Sequence, residues 1–231
     1  YLKTVMDFAF FDRINQAKHE ETDDWWNGMN RIYNVLCYDY LYPNPKSVMA
    51  FIENHDTDRF LGEGKDTLAL KQALALLLTV NRIPQLYYGT EILMNGTKSV
   101  TDGYVRKDFP GGWAGDARNA FTAKGRTKAQ NDMFGWISRL LHWRQGNDVI
   151  TKGSQTQFCT QRGVYVVARQ YNGKNVMTVI NGRNAAAELD VKRYAEIIGN
   201  AEKAVDVTTG RNVIISHNVK LRPRQTMVLE F

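Results

Sequence analysis

The sequence predicts an α/β region followed by an all-β region, and three observations carry that prediction. Up to about residue 146, apolar runs and helical patterns follow one another as strand, helix, strand, helix, strand, the signature of βαβ units on a parallel sheet. The strand-like runs are continuously apolar and end in polar clusters, as strands buried on both faces do. From Thr151 the chain changes to short alternating runs separated by turns, which predicts an antiparallel β-sandwich of ~80 residues. The boundary falls near Asn147 to Gly153, giving domains at 1–146 and 147–231, and 231 residues suffice for a core in each.

Taken in order, Lys3–Phe10 reads as a β-type run with Asp7 in its midst, and Asn15–Asp24 as an exposed loop. Trp25 to Tyr42 carries apolar residues at Trp25, Met29, Ile32, Tyr33, Leu36 and Tyr40, a helical spacing that Thr22, Asp23 or Asp24 can cap and Pro43-Asn44-Pro45 ends. Ser47–Ile52 is the central buried strand. After Gly62 and Gly64 comes a helix from about Thr67 to Val80, capped by Asp66 and apolar almost all round, so it must lie packed between other elements. Ile83–Tyr88 is the next strand. Residues 92–128 form a long Gly- and Asp-rich segment whose aromatic content marks it as functional. Ala129–Gln145 returns to helix and Gly146 closes it. In the all-β region, Gly163–Arg169 runs into Asn172-Gly173 and Asn175–Ile180 into Asn181-Gly182, both strong hairpin signals.

Thirty Lys and Arg against 24 Asp and Glu give a net charge of +6, but the positive residues are scattered. Nucleic acid is therefore not expected as a partner. No apolar run is long enough to cross a bilayer and no signal-peptide pattern is present, so no membrane partner is expected either. Cys37 and Cys159 lie far apart and neither has a metal-ligand spacing with a histidine. His19, His142 and His217 read as surface or packing residues.

The densest chemistry is Phe51-Ile52-Glu53-Asn54-His55-Asp56-Thr57-Asp58-Arg59, where a buried strand ends in ionisable side chains. Asp56 beside His55 suits a general base, a nucleophile or a stabiliser of a developing cation; a turn cap beside a surface histidine is the plainer reading. Asp58 with Arg59 reads as a local ion pair, and Glu53 as pointing back into the sheet. Asp7 and Glu91 end the neighbouring strands, so three strand ends bring carboxylates to one face. Paired carboxylates roughly 5–9.5 Å apart are what glycoside hydrolysis requires. Trp113, in a Gly-rich loop, is placed to stack on a ligand ring, whereas Tyr87 and Tyr88 read as core.

FIENHDTDRFL, followed after one helix by IPQLYYGTEILMNG, resembles two sequence regions of the α-amylase family of glycoside hydrolases (family 13), at the ends of barrel strands seven and eight. The loop DGYVRKDFPGGWAGDARNAF looks most like the neopullulanase and cyclomaltodextrinase branch, although Asn81-Arg82 stands where a small glycine is expected before strand eight. The resemblance implies that residues 1–146 are the last part, about strands six to eight, of a (β/α)₈ TIM barrel, followed by a C-terminal β-sandwich. It implies a retaining hydrolase of α-1,4 or α-1,6 glucans such as maltodextrin, pullulan or cyclodextrin. Asp56 then corresponds to the carboxylate that stabilises the oxocarbenium-like transition state, with His55, Arg106, Trp113 and Asp116 as substrate-binding candidates. The family's Asp nucleophile and Glu general acid follow strands four and five, and no Asp or Glu of this chain matches their motifs. The chain is thus expected to be an inactive C-terminal portion of the parent enzyme. It needs no cofactor of its own, the family's calcium ligands lying upstream. Such a piece is expected to be marginal or to self-associate through its open edges. A non-catalytic carbohydrate-binding or interaction scaffold is the competing reading.

Overall fold

The computed structural model of the chain describes residues 3–21 and 24–231. The first expected strand is reduced to one residue: Met6 bridges Met49 in parallel, and at Asp7 the chain turns into helix α1, Phe8–Ala17. The cause is a cap. The Asp7 carboxylate accepts from the Phe10 amide at 2.9 Å, which favours a helix start over extended chain. Phe10, Ile14 and Ala17 then form the buried stripe, and the loop expected from Asn15 begins only after Ala17. The helix expected over 25–42 is also shorter. Helix α2 spans Asn30–Cys37 and a 3-10 turn follows at Tyr38–Leu41. Gly28, at φ 58°, breaks the chain ahead of α2, so Trp25 and Trp26 stand exposed outside its apolar stripe. Of the expected caps, Thr22 and Asp23 lie outside the described residues, and Asp24 accepts from the Trp26 amide in a turn of its own.

Strand β1, Met49–Ala50, pairs in parallel with β2, Ile83–Pro84. The ladder is shorter than either apolar run, yet Val48, Phe51 and Ile52 beside it are buried. Between the strands lies α3, Thr67–Thr79, started by the Asp66 carboxylate on the Ala69 amide at 2.9 Å. Ten of its thirteen residues are buried, because other elements cover it on nearly every side. The segment after β2 contains one short helix, α4 (Asp102–Val105). Helix α5, Lys128–Arg144, opens with a capping box between Thr127 and Gln130, and α6, Asp148–Lys152, leads into the sheet.

The all-β part is one six-stranded antiparallel sheet and one small sheet. The order of the large sheet is β3 (Ser154–Gln161), β4 (Val164–Tyr171), β5 (Lys174–Asn181), β10 (Thr226–Glu230), β7 (Lys203–Asp206), β8 (Arg211–Ile214). Strands β6 (Ala187–Leu189) and β9 (Val219–Leu221) make the second sheet. The expected sandwich is therefore lopsided. Val166, Met177, Val179 and Leu229 face Leu189, Leu221 and the short helix α7, Ala195–Ile198, while Tyr165, Val167, Val176, Ile180 and Val228 face α3 and its surroundings. Burial on both faces explains why β4 and β5 read as near-continuous apolar runs. Asn172 and Gly173 form the expected tight turn with φ of 48° and 77°. Asn181-Gly182 does not make a hairpin. Asn181 is fully buried and donates to the carbonyls of Ala185 and Arg222 at 2.8 and 2.9 Å, so the chain leaves the sheet there and β10 takes the place beside β5.

Candidate active site

Beyond β1 the chain runs through buried Phe51 and Ile52 into a tight loop, residues 53–59. Its shape is local: Asn54 Oδ1 accepts from the Asp56 amide at 2.8 Å, and Thr57 Oγ1 from the Asn54 amide at 2.9 Å. These turns direct His55 and Asp56 outward, leaving their side chains 60% and 59% exposed. Glu53 turns inward, as expected. Its carboxylate is buried, accepts from the Phe60 amide at 2.5 Å and from the Thr90 hydroxyl, and so closes the neck of the loop. Burial raises its pKa above the ordinary carboxyl range, against the opposing pull of those hydrogen bonds and of Arg59.

The structure brings three of the expected site residues together. Asp56 Oδ2 lies 3.1 Å from His55 Nε2, and Arg106 Nη2 donates to Asp56 Oδ1 at 3.1 Å. Arg106 Nε also donates to the His55 carbonyl at 2.8 Å. Lys98 Nζ donates to the Asp56 carbonyl at 3.0 Å. An open cleft of about 740 Å³ adjoins the group, lined in part by Asn15, Lys18, His19, Asp58 and Lys98. Pairs this exposed contribute little to stability; what they do is fix the direction of the Asp56 carboxylate.

Other expected members are used elsewhere. Asp116 accepts from the amides of Gly111 at 2.7 Å and Trp113 at 3.3 Å, so it shapes its own loop. Trp113 is 68% exposed there, and among the described residues no hydrogen bond or ion pair joins either residue to Asp56. The three strand-end carboxylates do not assemble. Asp7 is buried against Arg82, whose Nε donates to it at 2.9 Å and whose Nη2 lies 2.5 Å from Asp39. Glu91 sits in a 3-10 turn, Thr90–Ile92, beside a recess lined by Tyr88, Phe134 and His142. Asp58 and Arg59 do not pair either: Asp58 accepts from the Lys98 amide at 2.6 Å, and Arg59 is turned into the interior. Its guanidinium lies 4.0 Å from the centre of the Tyr87 ring and 4.9 Å from that of Tyr88. Burial, and then Tyr88, push the Tyr87 hydroxyl up to about 12, so it stays a neutral phenol near neutral pH.

Sequence reasoning missed Asn54, Arg59, Lys98 and Arg82. Asn54 was legible as an Asx turn in Asn-His-Asp, and Arg82 as a bulky residue where glycine is expected. Arg59 and Lys98 left no local signal, because their partners lie far along the chain.

Residues 155–230 match the family model of the cyclo-malto-dextrinase C-terminal domain. Over 216 residues the chain is 26% identical to an α-amylase of Niallia circulans, covering 90% of this chain and 37% of that protein. It is 29% identical over 188 residues to a cyclomaltodextrin glucanotransferase of Thermoanaerobacterium thermosulfurigenes, covering 81% of this chain and 23% of that one. The chain thus spans well under half the length of these relatives. In fold it is similar to the crystal structure of an α-amylase from Geobacillus thermoleovorans complexed with acarbose, with a TM-score of 0.76 and 20% identity over 99% of this chain and 48% of that one. The resemblance carried by FIENHDTDRFL and IPQLYYGTEILMNG is therefore matched by similarity over nearly the whole chain to α-amylases and cyclomaltodextrin glucanotransferases, with residues 155–230 similar to the cyclo-malto-dextrinase C-terminal domain.

Proposed function

We propose that this chain is the later part of a retaining enzyme acting on α-glucans, of the neopullulanase and cyclomaltodextrinase kind. Residues 1–146 would complete a (β/α)₈ barrel and 147–231 form its appended sheet domain. The observation that carries the reading is the Asp56 carboxylate, exposed beyond β1 and oriented by His55 and Arg106, each at 3.1 Å. A carboxylate fixed in this way stabilises positive charge developing at a sugar's anomeric carbon and accepts from its hydroxyls, while His55 and Arg106 supply donors beside it. Trp113 offers an exposed ring to an apolar sugar face. Residues 1–231 hold no counterpart of the family's nucleophile and general acid, so by themselves they are proposed not to turn over substrate. Val5, Met6 and Phe8 beside the Met6 bridge are exposed, and self-association of residues 1–231 is proposed to run through that edge.

The test is hydrolysis and transfer on maltodextrin, pullulan and cyclodextrin by the product of the complete gene, compared with residues 1–231. Turnover is expected from the first and none from the second. Asp56→Asn in the complete product is expected to lower kcat by about 100-fold or more, as loss of a transition-state contact does. Normal turnover by Asp56→Asn overturns the assignment. Glucan binding without turnover by the complete product favours the scaffold reading instead.

A further inference from the structure

We infer that Arg59 is a positioning residue, holding the segment at Val105 so that Arg106 meets the carboxylate of Asp56; the inference rests on the role proposed for Asp56. Arg59 is 1% exposed and reaches three separate stretches of chain. Its Nη1 donates to the Tyr88 carbonyl at 2.6 Å and lies 3.6 Å from Glu53 Oε1, and its Nε donates to the Val105 carbonyl at 3.0 Å. Its own amide donates to the Gly96 carbonyl at 3.0 Å. The neck of the Asp56 loop, the chain just beyond β2 at Tyr88, and the last residue of α4 are therefore tied to one rigid guanidinium.

The next residue after Val105 is Arg106. Val105 is fully buried, whereas the Arg106 side chain is 40% exposed, and its contacts are with the His55 carbonyl and the carboxylates of Asp56 and Asp102. Little packing fixes Arg106 from outside, so its placement depends on where its backbone starts. Arg59 sets that start from within. The same segment lies close against Gly96, where a Cβ would stand 2.9 Å from the Tyr104 carbonyl oxygen. The geometry is a poor device for stability alone. Glu53 is 3.6 Å from the charge it faces, and among the described residues Arg59 Nη2 has no hydrogen-bond partner. Apolar residues often replace such buried pairs without loss, so placement accounts for the arrangement better than stability does.

The experiment is a double-mutant cycle on kcat and KM in the product of the complete gene, with Arg59→Lys, Arg106→Ala and the pair, assayed well below their unfolding temperatures. Lys keeps a charge beside Glu53 but cannot hold the Tyr88 and Val105 carbonyls with one planar fork. Arg59→Lys is expected to lower kcat about 10-fold with KM changed less than about 2-fold, and to add nothing once Arg106 is Ala. Independent, multiplying losses overturn the inference, as does an unchanged kcat. If Arg59→Lys does not fold, Gly96→Ala keeps the Arg59 guanidinium but crowds the Tyr104 carbonyl and so displaces the 104–106 segment, and its loss of kcat must likewise vanish in the Arg106→Ala background. Asp56→Asn run in parallel separates the two failures. Its normal turnover sinks the proposed function, whereas its loss combined with additive Arg59 and Arg106 effects sinks this inference alone.

Discussion

Buried guanidinium groups show how one residue type serves different ends in this chain. Arg82 is matched by two carboxylates, Asp7 at 2.9 Å and Asp39 at 2.5 Å. Removing it strands Asp7 in the interior, so Arg82→Ala is expected to destabilise the chain by about 3–5 kcal/mol, read from chemical denaturation. A loss no larger than that of an exposed substitution counts against this. Glu53 gives a pH signature. Burial holds its folded pKa above the unfolded value, so in acid both states are protonated and nothing is lost. As pH rises, the unfolded chain releases its proton first, and Glu53's contribution to stability falls until its folded pKa is passed. Glu53→Gln is therefore expected to remove a downward component of stability that sets in as pH rises through the ordinary carboxyl range, measured as denaturation midpoints; an identical pH profile in both proteins refutes it. At this scale the sequence displayed Asp56, His55 and the inward turn of Glu53, since each follows from the end of one apolar run. It did not display the Arg59 contacts, which depend on chain 29 and 46 residues away.

Among the elements, α3 was the most legible, because an Asp cap and leucines on every face admit no other structure than a buried helix. Lys3–Phe10 misled because a single capping carboxylate, Asp7, outweighs a β-type composition. Asn181-Gly182 misled because the turn signal assumes a solvated Asn, and this one is consumed inside the fold. Helix α3 also carries the clearest packing prediction. Leu74 is fully buried among residues of the main core, so Leu74→Ala is expected to cost about 2–5 kcal/mol in transfer and cavity terms, measured by chemical denaturation. A cost under about 1 kcal/mol means that the surroundings collapse into the space.

The whole molecule is organised by the join between its two parts, where directional polar bonds lie beside a shared apolar core. Gln72 of α3 donates to the Asn181 carbonyl at 2.8 Å, Thr178 donates to Thr79 at 2.8 Å, and the Asn81 amide donates to Gln155 at 2.7 Å. Arg169 of β4 is buried and donates to the carbonyls of Thr79 at 3.0 Å and Gly153 at 2.8 Å. Burial, and then the nearby charge of Arg144, lower its pKa to about 10. These directional bonds fix register, and one continuous core includes α3 together with Tyr165, Val167, Ile180 and Val228 of the sheet. The change from helices to antiparallel strands after α6 does not interrupt that core, so cooperativity across it is decided there. All five tryptophans, Trp25, Trp26, Trp113, Trp136 and Trp143, precede the boundary. Their fluorescence therefore reports the first part, while far-ultraviolet circular dichroism reports both. The two signals are expected to give coincident denaturation curves, the mark of one cooperative unit. Residues 147–231 alone, lacking α3 over the face of Tyr165 and Val167, are expected to bind a hydrophobic dye strongly or to aggregate. Two separated transitions, with a soluble sheet domain that binds no dye, mean that the polar join aligns two independent domains and that the shared core is dispensable to each.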